Sequence, residues 1–255
     1  MGRYICLCFF VLFGSPAFAQ IDADALLQRV QTDTAQRAEA AKDMRFSYNR
    51  TIKSNMLTKG ADKPPVDVVM QFDPDVERDQ QWTIVSPTET EDPDAYAKVV
   101  KQIADGIKNN PDGKPDQDLI LKKFAFAGGT STEATPTLLR EENGIAIFKL
   151  DLETFANSSD GNAGGIKKML KNLSGEFSVD IASSRLTNIH IFAQKPFKPV
   201  AVAKIKKFDM QIYFAPAWQN GPIFQVQQQM NISGSALFQK FTQEMDTVYS
   251  NFEKR

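Results

Sequence analysis

Along most of this chain apolar and polar residues alternate one for one, the two-residue repeat of a strand with one face buried. Met44, Phe46, Tyr48 and Ile52 alternate with Arg45, Ser47, Asn49, Thr51 and Lys53. After a turn region from Gly60 to Pro65, Val66, Val68, Met70 and Phe72 repeat the pattern, and Trp82 with Ile84 follows. Thr137 to Arg140 and Ile145 to Leu152 flank Asn143-Gly144, a dipeptide that supplies the positive φ angles of a tight hairpin. Phe177, Val179 and Ile181 alternate next, and Ser183-Ser184 turns the chain into Leu186 to Ala193. Phe208, Met210, Ile212 and Phe214 form another strand, but Lys204 and Lys206 share their parity, so a bulge or break is expected near Lys206-Lys207. Phe224, Val226, Met230 and Ile232 alternate in turn, Ser233-Gly234-Ser235 reads as a strand turn, and Leu237 to Phe252 supplies a last strand or two.

The period changes in three places. Asp22 to about Lys42 is rich in helix formers, with Leu27, Val30, Ala38 and Ala41 near one face and Asp22 as a cap. Asp92 caps a second helix that has Pro93 at its first position and Tyr96, Val99, Val100, Ile103 and Ile107 on its apolar side. Asn109-Asn110-Pro111 ends it, and a loop follows from Asp112 to Asp116. The stretch Asp118 to Phe126 is ambiguous between helix and strand. A polar loop from Asn157 to Gly165 leads into a short helix carrying Ile166, Met169, Leu170 and Leu173. The sum is an α+β protein: seven to eleven strands in one large, curved antiparallel sheet, a half-barrel, with an N-terminal helix and inserted helices covering one face. Its concave apolar surface is either filled by those helices or open to a ligand.

The first nineteen residues predict export. Arg3 precedes an apolar run from Ile5 to Phe13 and the small-residue site Ala17-Phe18-Ala19. That run falls well short of the roughly 20 residues needed to span a bilayer. The expectation is a cleaved signal peptide over 1–19, a single β-rich domain over 20–255, and a periplasmic location. Cys6 and Cys8 would leave with the leader, so no disulfide or cysteine metal site is expected. With Arg3 gone, 29 basic residues face 31 acidic ones, a balance that calls for neither nucleic acid nor an anionic membrane.

Candidate chemistry is sparse. His190, the one histidine, sits between Ile189 and Ile191 with no local carboxylate or second histidine, which suits a structural or surface role. The acidic groups Asp73, Asp75, Glu77, Asp79 and Glu89, Glu91, Asp92, Asp94 lack the spacing of a calcium loop or a carboxylate pair, and read as solvated turns. Neither a nucleophile elbow nor a Gly-rich phosphate loop is present. No catalytic residue, no metal and no cofactor is therefore expected. Lys195, Lys198, Lys204, Lys206 and Lys207 form a basic stretch, read either as a protected sheet edge or as a dock for an anionic head group or acidic partner. Arg50 shares the parity of Tyr48 and Ile52, which puts a guanidinium on an apolar face, where it needs a partner or must reach water.

Val69-Met70-Gln71-Phe72-Asp73-Pro74 running to Gln81-Trp82-Thr83-Ile84-Val85-Ser86-Pro87 resembles the "FDP … W" signature of a group of exported Gram-negative proteins. The tail Gly234 to Phe241, closing with Val248-Tyr249-Ser250-Asn251-Phe252, resembles the last strands of the same group, which brings no activity with it. The order of elements, an amino-terminal helix and then a long antiparallel meander with inserted helices, is similar to the half-barrel of the periplasmic lipoprotein carriers LolA and LolB. That resemblance implies an apolar groove for acyl chains, with Arg50 as a gate. The expected function is a non-enzymatic periplasmic binding or carrier protein for a lipid or lipoprotein acyl chain. Arg50, Phe208, Met210, Ile212, Phe214, Phe224, Val226, Met230 and Ile232 would line its groove. An envelope scaffold that binds another protein is the alternative, and neither nucleic acid nor a membrane span enters either reading.

Overall fold

The computed structural model describes residues 21–40, 44–58, 66–109, 136–152, 169–237 and 239–255. The leader, the loops expected over 112–116 and 157–165 and the ambiguous stretch 118–126 lie outside these, and of the helix expected over 166–173 only the end is described. Eleven strands form one sheet: β1 (Phe46–Thr58), β2 (Val66–Phe72), β3 (Trp82–Ser86), β4 (Leu138–Glu142), β5 (Ile145–Leu150), β6 (Ser174–Asp180), β7 (Arg185–Phe192), β8 (Phe197–Val200), β9 (Ala203–Pro216), β10 (Ile223–Ala236) and β11 (Gln239–Lys254). Their order is β3-β2-β1-β11-β10-β9-β7-β6-β5-β4, with β8 paired to β9 beside β7, and all pairings are antiparallel. The sheet is open, with β3 and β4 at its edges.

Among the described residues two helices cover one face. In α1 (Ala23–Ala40) the Ala25 amide donates to Asp22 Oδ1 at 3.0 Å, the expected cap. Leu26 and Leu27 pack on Ala146, Phe148 and Val179, and Arg37 donates to the Gly221 carbonyl at 2.8 Å. In α2 (Pro93–Asn109) Asp92 accepts from the Ala95 amide at 2.9 Å. Its buried stripe is Ala95 and Val99, continued by Ile103, packed on Ile52, Val68, Met70 and Ile84. Val100 is exposed, because a stripe at a spacing of four residues leaves its neighbour on the flank.

Directly opposed residues point to the same side of a sheet. Phe148, Phe177, Ile189, Ile212, Gln228, Thr247, Ile52 and Val68 oppose one another in succession, a single row from β5 to β2. α1 sits at its Phe148 end and α2 at its Val68 end, so both helices share a face and the central strands lie between them.

The bulge expected near Lys206 is present: Ser233 opposes Lys207 and Gly234 opposes Ile205, which leaves Lys206 unpaired and turns both Ile205 and Phe208 inward. Ser233-Gly234-Ser235 is not a turn but lies inside β10. A Cβ on Gly234 would collide with the Lys204 carbonyl and crowd the Phe241 ring, so the glycine answers a close backbone approach at the bulge. The hairpin at Asn143-Gly144 has φ angles of 52° and 79°. At one end of the long strands Phe46, Tyr48 and Phe224 gather Phe72, Trp82, Trp218 and Phe252 into an aromatic cluster, Phe46 and Phe224 meeting edge-on at 4.7 Å.

Candidate functional site

The helix-bearing face divides by packing. Phe208, Ile212, Phe214 and Phe224 are buried in closed clusters, so they form core. Met210, Met230 and Ile232 are half-buried. Val226 is the unpaired residue of a second bulge, since Gln225 opposes Phe214 and Gln227 opposes Tyr213. Met210, Met230 and Met245 oppose one another across β9, β10 and β11, and Ser54 continues that row on β1. One step along the strands, Ile232, Gln243 and the exposed Met56 form the next row. The result is a strip of methionine, isoleucine and neutral polar side chains between the two helix-covered areas. Thioether side chains are flexible and polarisable, so such a surface adapts to the apolar shape laid on it. Met56, Gln243 and Met245 were not among the expected lining residues. The signal for Met56 was its parity with Tyr48 and Ile52, and for Gln243 and Met245 their parity with Phe241 and Tyr249, legible only once the tail is known to be one strand.

Arg50 stands on the same face, opposite Tyr249 and Met70. Its guanidinium carbon lies 5.7 Å from the centroid of the Tyr249 ring. The Nε atom is buried and has no hydrogen-bond partner among the described residues. A buried, unsatisfied charged donor is costly, and an oxygen-bearing ligand group would relieve it. The position is four residues from Ser54, about 13 Å along the strand.

The opposite face of the same strands is polar. Asp67, Lys53, Asp246, Gln229, Gln211, His190 and Glu176 oppose one another in succession from β2 to β6. An open trough of about 640 Å³ lies over the Asp67 to Gln211 part of this row and its neighbour, lined also by Asn55, Glu244, Asn231, Asp209 and Lys207 and touched by Ser54, Met230 and Met245. Gln227 donates to Asp246 at 2.8 Å, and the Tyr213 hydroxyl donates to Gln211 at 2.5 Å. The alternation that marks strands assigns these residues to the solvent side, and pairing alone reveals that those from Asp67 to Gln211 line one trough.

His190 has a carboxylate neighbour after all: its Nε2 is 3.4 Å from Asp209 Oδ1, and its ring stacks on Phe192 at 4.6 Å. Sequence-local inspection missed Asp209 because it comes from β9. Glu176, opposite His190, is held in a two-pronged ion pair by Arg140 at 3.0 and 3.3 Å, which raises the guanidinium pKa. His190 faces away from the methionine strip. Among the described residues no three His, Cys, Asp or Glu side chains are grouped to hold a metal. In the acidic turns Asp75 pairs with Arg45 at 3.3 Å. Glu91 accepts from the Thr88 amide at 2.9 Å, which lowers its pKa.

The sequence matches no protein-family model and no curated protein. Among solved structures, the chain is similar to a LolA superfamily protein from Nitrosomonas europaea. The two share 11% identity over 92% of this chain and 94% of that one, with a TM-score of 0.35.

Proposed function

We propose that the protein is a non-enzymatic binding or carrier protein of the periplasm, and that its helix-bearing face holds an apolar ligand such as a lipid or lipoprotein acyl chain. The observation that carries this is the methionine strip between α1 and α2, half-buried on a face whose flanks are closed core. Arg50 supports it from one end: the buried Nε is suited to a carbonyl, carboxylate or phosphate oxygen, and the strip to the hydrocarbon that follows. The alternative of an enzyme draws no support from the strip, where among the described residues no histidine, cysteine or carboxylate shares the methionine rows with Ser54, while His190 and Asp209 lie on the other face.

Native mass spectrometry of the protein purified from its own envelope should show a bound lipid that extraction removes. Adding a long-chain fatty acid to the stripped protein should raise its melting temperature. Arg50→Met should weaken that rise while leaving the fold intact. A protein that comes out repeatedly without lipid and melts at the same temperature with and without fatty acid would rule the reading out.

A further inference from the structure

We propose that the end of the sheet built from the β8–β9 and β10–β11 turns docks on an anionic phospholipid surface, with aliphatic turn tips entering the headgroup layer and lysines on the phosphates. This goes beyond the carrier reading and does not depend on it. Among the described residues Leu237, Val202 and Val200 are the three most exposed large apolar side chains, at 69%, 60% and 55%. They are neighbours: the Leu237 amide donates to the Val202 carbonyl at 3.0 Å, and both Val200 and Ala236 oppose Ala203. Leu237 holds φ at 47°, a turn conformation that glycine or asparagine adopts without strain and a leucine rarely does. An aliphatic side chain at that point works against both solubility and backbone preference, and a turn-forming residue would relieve both.

Lys198, Lys204, Lys206, Lys207 and Lys240 lie on the strands that run into these turns, and all are exposed. Lys204 and Lys240 both oppose Ser235, and Lys206 is the unpaired residue of the β9 bulge. No Asp or Glu occurs in residues 197–207 or 233–242 of a chain whose formal charge is −1. None of the five lysines pairs with a carboxylate among the described residues. Guarding a sheet edge accounts for lysines but not for the exposed valines and leucine among them. Aliphatic tips at the end of strands that carry unpaired cations match an anionic membrane surface. A flat acidic protein face would leave the tips without apolar contact.

The test is vesicle flotation of the full chain, using phosphatidylcholine vesicles with and without phosphatidylglycerol. The protein should float with the anionic vesicles, not with the neutral ones, and high salt should release it. Leu237→Gly suits the turn's φ and should melt like the wild type, yet bind about tenfold more weakly. The double variant Lys204→Glu with Lys240→Glu should bind at least about twentyfold more weakly, at roughly fivefold per lysine. Arg50→Met should float like the wild type, which separates this surface from the ligand strip. No flotation with anionic vesicles, equal flotation with neutral ones, or flotation indifferent to both the glycine and the glutamate variants would overturn the proposal. Retention by polyglutamate without vesicle binding would do the same and reassign the patch to an acidic protein.

Discussion

The flank under α1 and the strip beside it use the same alternation on the same face of one sheet, yet their side chains differ in kind. Beneath α1, Phe148 is fully buried and stacks on Phe177 at 5.1 Å, with Leu26 and Val179 fully buried around it. On the central strands the Phe148 row continues through the buried Ile212 and Thr247, and the next two rows carry Met210, Met230, Met245 and Ser54, then Gln243, flexible or small and polar, none of them fully buried. Rigid rings specify one packing, whereas unbranched thioethers tolerate several. Close-packed core and an adaptable methionine strip are thus allotted to different strands of the same sheet.

That contrast can be broken by mutation. Phe148→Ala should cost about 3–5 kcal/mol in urea unfolding, the cost of emptying a fully buried aromatic site. Gly234→Ala should cost about 1–3 kcal/mol, since the new methyl group must displace the Lys204 carbonyl from its bulge. Asp92→Ala should remove about 1 kcal/mol through the loss of the α2 cap and leave the strip intact. Met245→Ala should cost about 1 kcal/mol or less and yet reduce the fatty-acid-induced rise in melting temperature. If it costs as much as Phe148→Ala, the strip is core and the contrast collapses.

The smallest effect concerns Asp180. The Ser183 hydroxyl and amide donate to it at 2.6 and 2.7 Å and hold its pKa below the ordinary carboxylate value, with Arg185 adding to this. A pKa lowered by folding gives stability that is present above the unfolded-state value and lost as pH falls through the folded one. Comparing Asp180→Asn with the wild type should show a small deficit at pH 7 that disappears in strong acid. A deficit that persists there would locate the effect in packing instead of ionisation.

Local signals were legible in the sequence because their causes are local. The Asp22 and Asp92 caps, the Asn143-Gly144 hairpin and the slip at Lys206 each depend on a few adjacent residues. The reading failed where the cause lay on another strand. Gly234 looked like a turn because the Lys204 carbonyl that demands it arrives from β9. Val226 kept its alternation on paper, but the β10 bulge takes it out of register. Leu26 was passed over beside Leu27, though both are buried, because the surface that receives them is assembled from β5 and β6. The site was only half legible for the same reason. Met210 and Met230 were singled out by parity, while Met245 joined them only through the pairing of β10 with β11.

The pairing of β1 with β11 has a consequence in time as well as in space. These strands are neighbours along nearly their whole lengths, from Phe46 opposite Lys254 to Thr58 opposite Phe241. Until β11 is available, the β3-β2-β1 ribbon has no partner on its inner side, and β10 presents a bare edge. Bringing β1 and β11 together closes a loop of almost the entire domain, so the strip they share forms late and all at once. A chain that stops just before Gln239 would have two unjoined pieces of sheet and would lack the Gln243 and Met245 side chains of the strip. The complete strip is therefore a sign that every strand of the sheet is in place.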